Sequence, residues 1–193
     1  YTSGTTGHPK GAILTHRAVC AQMAQISLQT TGGPDERVLV VAPLYHAAAA
    51  ITAFVSIYWG GCLYIQEDFN PVEVIRALSE EGIVQATLVP AMIQACLVFV
   101  PDIAQRRFDN LRRITYGASP IAEETLRRAV EVFKCDFTQG YGMTETTAVI
   151  TYLTPADHAR ALKEKPELLL SAGRPLVGTE LRVVDEGDNP LPN

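Results

Sequence analysis

Short runs of β-branched residues alternate with helical patterns along almost the whole chain, and this alternation limits the possible folds most strongly. The runs predicted as strands are residues 37–41, 62–65, 84–89, 113–116, 136–138 and 180–184. Segments with helical periodicity fall between them. Strands separated by helices pair side by side in parallel, because each helix returns the chain to the same edge of the sheet. We therefore expect an α/β fold with a mostly parallel β-sheet covered by helices.

Some predicted helices have clear ends. The segment NPVEVIRALSEEG offers Asn70 as a cap, Glu73 for a capping box and Gly82 as a stop. In SPIAEETLRRAVEVF, Ser119 is the expected cap. The long apolar run at 42–59 has no Lys or Arg flanks, which favours a buried core helix over a membrane span.

Composition excludes two broad classes of protein. With 47% apolar and 19% charged residues, the chain is typical of a globular protein and not of a disordered one. The net charge of −5 argues against a general nucleic-acid binder, so local donors must hold any anionic ligand. The four cysteines form no CxxC pattern, which favours buried, reduced thiols and a cytoplasmic protein.

The segment YTSGTTGHPKG, residues 1–11, combines glycines, hydroxyl side chains and Lys10. Glycines allow the backbone to approach a ligand closely, and successive N–H groups can form an anion-binding nest. The segment lacks the G-x-x-x-x-G-K-[ST] spacing of a Walker A loop, and the following GAILT is typical of a strand. Composition alone leaves two interpretations open, a polyphosphate site and a flexible surface loop.

The complete string resembles the phosphate-binding signature of the adenylate-forming superfamily, which includes acyl-CoA synthetases, luciferases and the adenylation domains of peptide synthetases. Later segments resemble further motifs of that family in the same order: PLYHAAA (43–49), YGASPI (116–121), QGYGMTETT (139–147) and GRPLVG (173–178). Together these matches extend over nearly the whole chain. The resemblance implies part of the large N-terminal domain of such an enzyme.

The resemblance also implies a reaction in two steps. A carboxylic acid attacks the α-phosphate of ATP to give an acyl-adenylate and pyrophosphate, and a thiol, usually that of coenzyme A, then displaces AMP. Because the first step brings two anions together, charge neutralisation and positioning carry the catalysis. An acyl-CoA synthetase is the favoured interpretation. The alternatives are an adenylating enzyme with a carrier-protein or other acceptor, and a nucleotide-binding module without catalysis.

By the same resemblance, the phosphates of ATP would be held by the opening segment and one later threonine: Thr2, Ser3, Gly4, Thr5, Thr6, Gly7, Lys10 and Thr144. Glu145 is the expected Mg²⁺ ligand, with Thr5 assisting, because magnesium prefers carboxylate, hydroxyl and phosphate oxygens. Lys10, Thr144 and Glu145 would therefore be the catalytic residues.

The remaining motifs imply the other two subsites. Adenine would lie between Tyr141 and a wall formed by Gly117, Ala118 and Ser119. The acyl pocket would be bordered by His46, Gly140 and Gly142. The apolar residues after His46 offer no charge for an amino group, so a medium- or long-chain fatty acid is the first choice and aromatic acids stay open.

The family's ribose-binding carboxylate, hinge and C-terminal lysine have no counterpart in this sequence. We therefore expect a central fragment of a larger enzyme, inactive alone. Residues 1–172 would belong to the α/β portion, with a polar excursion at 153–170, and 173–193 would begin a β-rich subdomain. Exposed strand edges would favour self-association of the isolated fragment.

Overall fold

The computed structural model describes residues 1–2 and 7–191, and a seven-stranded sheet forms its centre. The strands are β1 (Arg37–Val40), β2 (Cys62–Ile65), β3 (Ile83–Leu88), β4 (Arg113–Gly117), β5 (Asp136–Tyr141), β6 (Thr151–Leu153) and β7 (Arg174–Pro175). Their order in the sheet is β2-β1-β3-β4-β5-β6-β7. The first five strands pair in parallel, while β6 and β7 add an antiparallel edge. The predicted α/β fold with a mostly parallel sheet is confirmed.

Helices cover both faces of the sheet. They are α1 (His16–Gln29), α2 (Ala47–Tyr58), α3 (Pro71–Glu80), α4 (Pro90–Phe99), α5 (Glu123–Phe133) and α6 (Pro155–Lys163). Shorter 3₁₀ turns occupy Ile103–Gln105, Thr144–Thr146 and Pro166–Leu170. Among the described residues, no helix has both the length and the apolar character needed to cross a membrane.

The two faces of the sheet differ in chemistry because side chains alternate along each strand. One face packs against α3–α6 and builds the main core, to which the strands contribute apolar side chains: Leu39, Ala86, Leu88, Ile114, Tyr116 and Phe137. The other face lies towards α1 and α2, whose smaller cluster contains Ile26, Ile51 and Val55. The second face therefore has less apolar packing above it and leaves room for a cavity.

Most predicted strands are confirmed with small shifts at their ends, but the strand predicted at 180–184 is wrong. There, Val184 forms only an isolated bridge with Pro190, and Leu181 and Val183 are 45% and 54% exposed. Within residues 1–2 and 7–191, no strand pairs with this exposed segment, so its β-branched pattern does not produce a ladder. The strand predicted for GAILT is also wrong, because Thr15 instead caps α1 by accepting from the Ala18 N–H (3.1 Å).

The helix ends follow the predicted caps in part. Asn70 caps α3 as expected, accepting from the backbone N–H groups of the next turn (2.9 and 3.3 Å). Glu73 does not complete a capping box, since its carboxylate pairs with Arg76 (2.9 Å). Ser119 is not the cap of α5, which begins after Ala122.

Three further expectations need correction. Residues 153–170 are not a polar excursion, because most of them form α6 and a 3₁₀ turn that pack with Ala161 and His158 buried. Helix α2 is buried on one face only. The expectation of buried thiols fails for Cys20 and Cys62, which are exposed. The subdomain expected from residue 173 stays a prediction.

A single methyl group added at Gly173 should reduce stability strongly. Its φ is +89°, and a Cβ would lie 2.1 Å from the carbonyl carbon of Tyr152. We expect Gly173→Ala to destabilise the protein by about 3 kcal/mol, through overpacking and left-handed strain together. Gly82 is the matched control, since its φ is +66° and nothing lies within 4 Å of its Cβ position.

Gly82→Ala should therefore cost only about 1 kcal/mol, the strain alone. Urea denaturation at constant m-value measures both free energies of unfolding. Equal losses in the two variants would contradict the close approach at Gly173.

Candidate functional site

A cavity of about 350 Å³ lies between the second face of the sheet and helices α1 and α2. Its walls come from both helices, from β3 and β4, from the carboxyl end of β5 and from the turn that follows. No Asp, Glu, Lys or Arg side chain of the described residues lines it. Cavities at the carboxyl ends of parallel strands are the usual ligand sites of open α/β sheets.

Glycines bring the ends of β4 and β5 together at the mouth of this cavity. Gly117 pairs with Gly140 in the parallel register. A Cβ at Gly117 would lie 2.3 Å from the Gly140 carbonyl oxygen, so no larger residue fits without a shift of the backbone. Ala118 follows with φ +66°, a left-handed conformation that alanine rarely adopts.

The turn after β5 is also strained and closely packed. A Cβ at Gly142 would lie 1.5 Å from the carbonyl oxygen of Ala148. Thr147 and Ala148 have φ values of +67° and +123°. The buried Gln22 of α1 holds this turn, because its Oε1 accepts from the Val149 N–H (3.1 Å). Backbone strain of this kind concentrates at functional sites.

Thr144 and Glu145 lie in the short 3₁₀ turn inside this segment. The Met143 N–H donates to Thr146 Oγ1 (3.0 Å), which fixes the start of the turn. Thr144 lines the cavity, whereas Glu145 is exposed and next to it in sequence. A carboxylate is thus available to solvent beside a threonine that lines the cavity.

His46 stands at the N-terminus of α2. Its side chain makes no capping bond, and its ring lies 4.7 Å from the ring of Tyr45. It lines the cavity while it is exposed to solvent. The imidazole therefore stands at the opening, where it can meet a ligand that enters from outside.

The base of the opening loop is closed by two backbone hydrogen bonds. The Thr2 N–H donates to the Lys10 carbonyl (2.8 Å), and the Lys10 N–H donates to the Thr2 carbonyl (3.0 Å). Gly7 has φ +89°, consistent with its place in a tight loop. The candidates Ser3, Gly4, Thr5 and Thr6 lie outside the described residues.

The cavity brings together part of the predicted site. Six of the candidates line it: His46, Gly117, Ala118, Gly140, Gly142 and Thr144. Ser119, Tyr141 and Glu145 adjoin these in sequence but do not line it. Tyr141 follows Gly140 on the strand, so its side chain projects to the opposite face of the sheet.

Sequence reasoning missed the floor of the cavity. Gln85 and Thr87 of β3 and Thr115 of β4 line it, as does Thr52 of α2. The signal was present in the alternation of polar residues with Ala86, Leu88, Ile114 and Tyr116 along these strands. Polar side chains at alternate positions of central strands are unusual in a sheet that is covered on both faces.

A buried hydrogen-bond chain supports the strand that ends at the cavity. Tyr116 and His158 are buried, and Tyr116 Oη lies 2.8 Å from His158 Nε2. His158 Nδ1 lies 2.8 Å from the Thr154 carbonyl. Since a carbonyl can only accept, Nδ1 carries the hydrogen, and Nε2 of the neutral ring accepts from the tyrosine hydroxyl. Burial raises the pKa of Tyr116, which therefore remains a donor.

The same chain reaches the edge of the sheet. Burial works to raise the pKa of Asp157, but hydrogen bonds from Thr154 and the charge of Arg174 keep it below the ordinary value. Arg174 Nη1 lies 3.1 Å from Asp157 Oδ2. The chain therefore connects α6 to both β4 and β7.

Comparison with known proteins agrees with this geometry. The family model described as "AMP-binding enzyme" matches residues 1–193. The chain belongs to the AMP-binding enzyme family. The predicted resemblance to adenylate-forming enzymes is thereby confirmed.

Several relatives within this family are ligases. FadD8, a medium/long-chain-fatty-acid–CoA ligase of Mycobacterium tuberculosis, is 37% identical over 99% of this chain and 32% of its own length. ScoC, a fatty acid–[acyl-carrier-protein] ligase of Streptomyces coeruleorubidus, is 33% identical over 100% of this chain and 37% of its own length. The chain thus spans about a third of the length of the curated relatives it matches.

Solved structures of the family share the fold. The inhibitor-bound N-terminal domain of FACL13 from Mycobacterium tuberculosis gives a TM-score of 0.87 at 28% identity, over 99% of this chain and 46% of that one. MenE, the o-succinylbenzoate coenzyme A synthetase of Bacillus subtilis, in complex with ATP and magnesium ion, gives 0.84 at 26% identity, over 100% and 38%. The prediction that this chain is part of an N-terminal domain of this kind is confirmed.

Burial of His158 should make the stability of the protein depend on pH. Burial lowers its pKa, although the Thr154 carbonyl and Asp157 oppose this. The unfolded chain therefore binds this proton more tightly than the folded protein does. The stability from neutral His158 is complete above the unfolded pKa of about 6.5 and is lost as pH falls below it. We expect the free energy of unfolding to decrease between about pH 7.5 and about pH 5.5.

In His158→Gln, less than half of this decrease should remain. The exposed His16 of α1 is the matched control, and His16→Gln should keep the full decrease. Chemical denaturation across the pH range measures the effect. A slope that is unchanged in His158→Gln would assign the pH dependence to other groups.

Proposed function

We propose that this chain forms the central part of the nucleotide- and acid-binding domain of an ATP-dependent acid–CoA ligase. One observation carries the proposal. A single cavity is lined both by residues assigned to the acyl pocket, His46 and Gly140, and by Thr144, assigned to the phosphates. A site that joins a carboxylate to a phosphate needs such continuity, because the reacting atoms must come within about 3.5 Å of one another.

The lining of the cavity favours a substrate whose acyl group is uncharged. Its roof is mostly apolar, with Ile26, Ile51 and Val55 contributed by α1 and α2, although Thr52 of α2 also lines it. A buried ammonium or carboxylate group would find no partner of opposite charge among the lining residues. A medium- or long-chain fatty acid therefore remains the first choice, as in the name of FadD8, and aromatic acids stay open.

The residues at the mouth of the cavity are suited to binding a nucleotide. The left-handed turn at Ala118 exposes backbone beside the end of β4, and Gly117 adds no side chain there. A flat base can stack against such a wall. The placement of Tyr141 on the other side of the base stays a prediction, because its side chain leaves β5 on the opposite face of the sheet. Lys10 and Thr144 would hold the phosphates and position the leaving pyrophosphate, while the apolar roof excludes water from the new acyl-adenylate.

Glu145 fits the role of a magnesium ligand. Among the described residues, no three His, Cys, Asp or Glu side chains converge on one point, so the protein offers no complete metal cage. Magnesium commonly uses only one or two carboxylates together with substrate phosphates and waters. The exposed Glu145 beside Thr144 matches that donor set. When bound, the ion would supply charge neutralisation on the phosphates.

One relative supports a second possible acceptor for the acyl group. ScoC is a ligase for an acyl-carrier protein, so a carrier-protein thiol could replace coenzyme A in the second step. A nucleotide-binding module without catalysis is the other alternative. The expected cytoplasmic location and self-association of the isolated fragment stay predictions.

Glu145→Gln in the complete protein should reduce acid-dependent exchange of labelled pyrophosphate into ATP by about 100-fold or more, because the metal loses its protein ligand. The matched control is Glu131→Gln, on the exposed face of α5, which should leave exchange unchanged. Wild-type exchange in Glu145→Gln at every magnesium concentration would refute the metal role.

His46→Ala should weaken binding of the acid and leave ATP use intact. We expect the KM for the acid to rise about tenfold, with the KM for ATP changed by less than about twofold. His16→Ala, a substitution of an exposed histidine outside the cavity, is the control. A selective rise in the KM for ATP would refute the assignment of His46 to the acid side.

A further inference from the structure

We propose that the acid carries a hydroxyl group at its far end, bound by Thr87 and Thr115 on the floor of the cavity. This inference rests on the proposed function and adds the chemistry of the substrate to it. The supporting observations are the register of the strands, the hydrogen bonds of the threonines and the size of the cavity.

The register places the two threonines side by side. Thr87 pairs with Thr115 across β3 and β4, so their backbones lie about 4.8 Å apart. Both line the cavity. Their neighbours Leu88 and Tyr116 also border it, but these two belong to the main core on the other face of the sheet. Two hydroxyl groups thus lie next to each other beneath an apolar roof.

The hydrogen bonds that Thr52 and Thr87 already make determine what the threonine pair can still accept or donate. Thr52 Oγ1 donates its only hydrogen to the Ala48 carbonyl (2.8 Å). The contact between Thr52 Oγ1 and Thr87 Oγ1 (3.1 Å) must therefore be donated by Thr87. Thr87 is left with a free lone pair and no hydrogen to give. It can only accept from a ligand.

Thr115 can supply the hydrogen-bond donor that Thr87 lacks. Its hydroxyl makes no hydrogen bond within residues 1–2 and 7–191, and it is not enclosed by protein, since Thr115 lines the cavity. It can donate to a ligand while Thr87 accepts. A hydroxyl group donates and accepts at once and so satisfies both threonines, whereas a ketone or ether can only accept.

The positions of Thr87 and Thr115 along their strands determine where the hydroxyl of the substrate binds. Gly117, at the mouth, is two residues beyond Thr115 on the same face of β4, which is about 7 Å along the strand. Gln85 lies about 7 Å further in and also lines the cavity, where it accepts weakly from Arg113 (3.5 Å). The hydroxyl of the substrate therefore lies inside the cavity, about 7 Å along the strand from the mouth.

The cavity volume limits the rest of the molecule. A volume of about 350 Å³ corresponds to roughly twelve water-sized groups. The acid is therefore compact, either a hydroxy fatty acid of medium length or a hydroxylated aromatic acid. These two sources share the distal hydroxyl on an otherwise apolar body, which suits the apolar roof.

The test uses matched pairs of acids with the complete protein. Pyrophosphate exchange is measured with 10-hydroxydecanoate against decanoate, and with 4-hydroxycinnamate against cinnamate. We expect kcat/KM to be at least about tenfold higher for the hydroxylated member of one pair, since two hydrogen bonds depend on it. The pair that shows the preference identifies the skeleton.

Variants at the floor distinguish this binding from a general effect of polarity. Thr115→Val keeps the shape but removes the donor, and it should abolish most of the preference, whereas Thr115→Ser should retain it. Thr138→Val is the matched control. Thr138 pairs with Thr115 on the same row but does not line the cavity, so this variant should keep the full preference.

The outcomes separate the inference from the proposed function. Equal kcat/KM within both pairs, or a preference that survives in Thr115→Val, overturns the distal hydroxyl but leaves the ligase in place. A stronger preference for decanedioate than for 10-hydroxydecanoate also overturns it, in favour of a charged group. Exchange with none of these acids and none with palmitate, despite nucleotide binding, overturns the proposed function and the inference with it.

Discussion

Side chains alternate between the two faces of a strand, and the parallel register lines this alternation up across β3, β4 and β5. Apolar side chains on one face therefore pack against α3–α6, while Gln85, Thr87 and Thr115 on the other face line the cavity. A slip of one residue would place Thr87 and Thr115 in the core and expose Leu88 and Tyr116 to the ligand. The core and the site are thus specified by the same pairing.

Strained backbone conformations cluster near the mouth of the cavity. Ala118, Thr147 and Ala148 adopt left-handed conformations around the cavity mouth, each at a cost on the order of 1–3 kcal/mol. Buried polar contacts beneath them hold the backbone in place, from Gln22 on one side and His158 on the other. The rigid part of the molecule therefore presents backbone in conformations that a flexible loop would not retain.

The sequence predicted the sheet well because β-branched runs between capped helices carry a strong local signal. It failed where structure depends on neighbours: 180–184 has the pattern of a strand but no partner, and the short strands β6 and β7 have partners but almost no pattern. Motif resemblance found the cavity residues at the strand ends, since these are contiguous in sequence. It could not find Thr52, whose relation to Thr87 exists only after α2 packs on the sheet.

The chain's one tryptophan lies at the end of α2, next to the helices that form the roof of the cavity. The Trp59 indole N–H donates to Ser27 Oγ (3.1 Å), which joins the end of α2 to α1, and the ring lies directly over Gly32. Trp59 packs against the small cluster that includes Ile26 and Val55, both of which line the cavity. Tryptophan fluorescence within this chain therefore comes from one position, and it reports the packing of the two helices above the cavity without any added label.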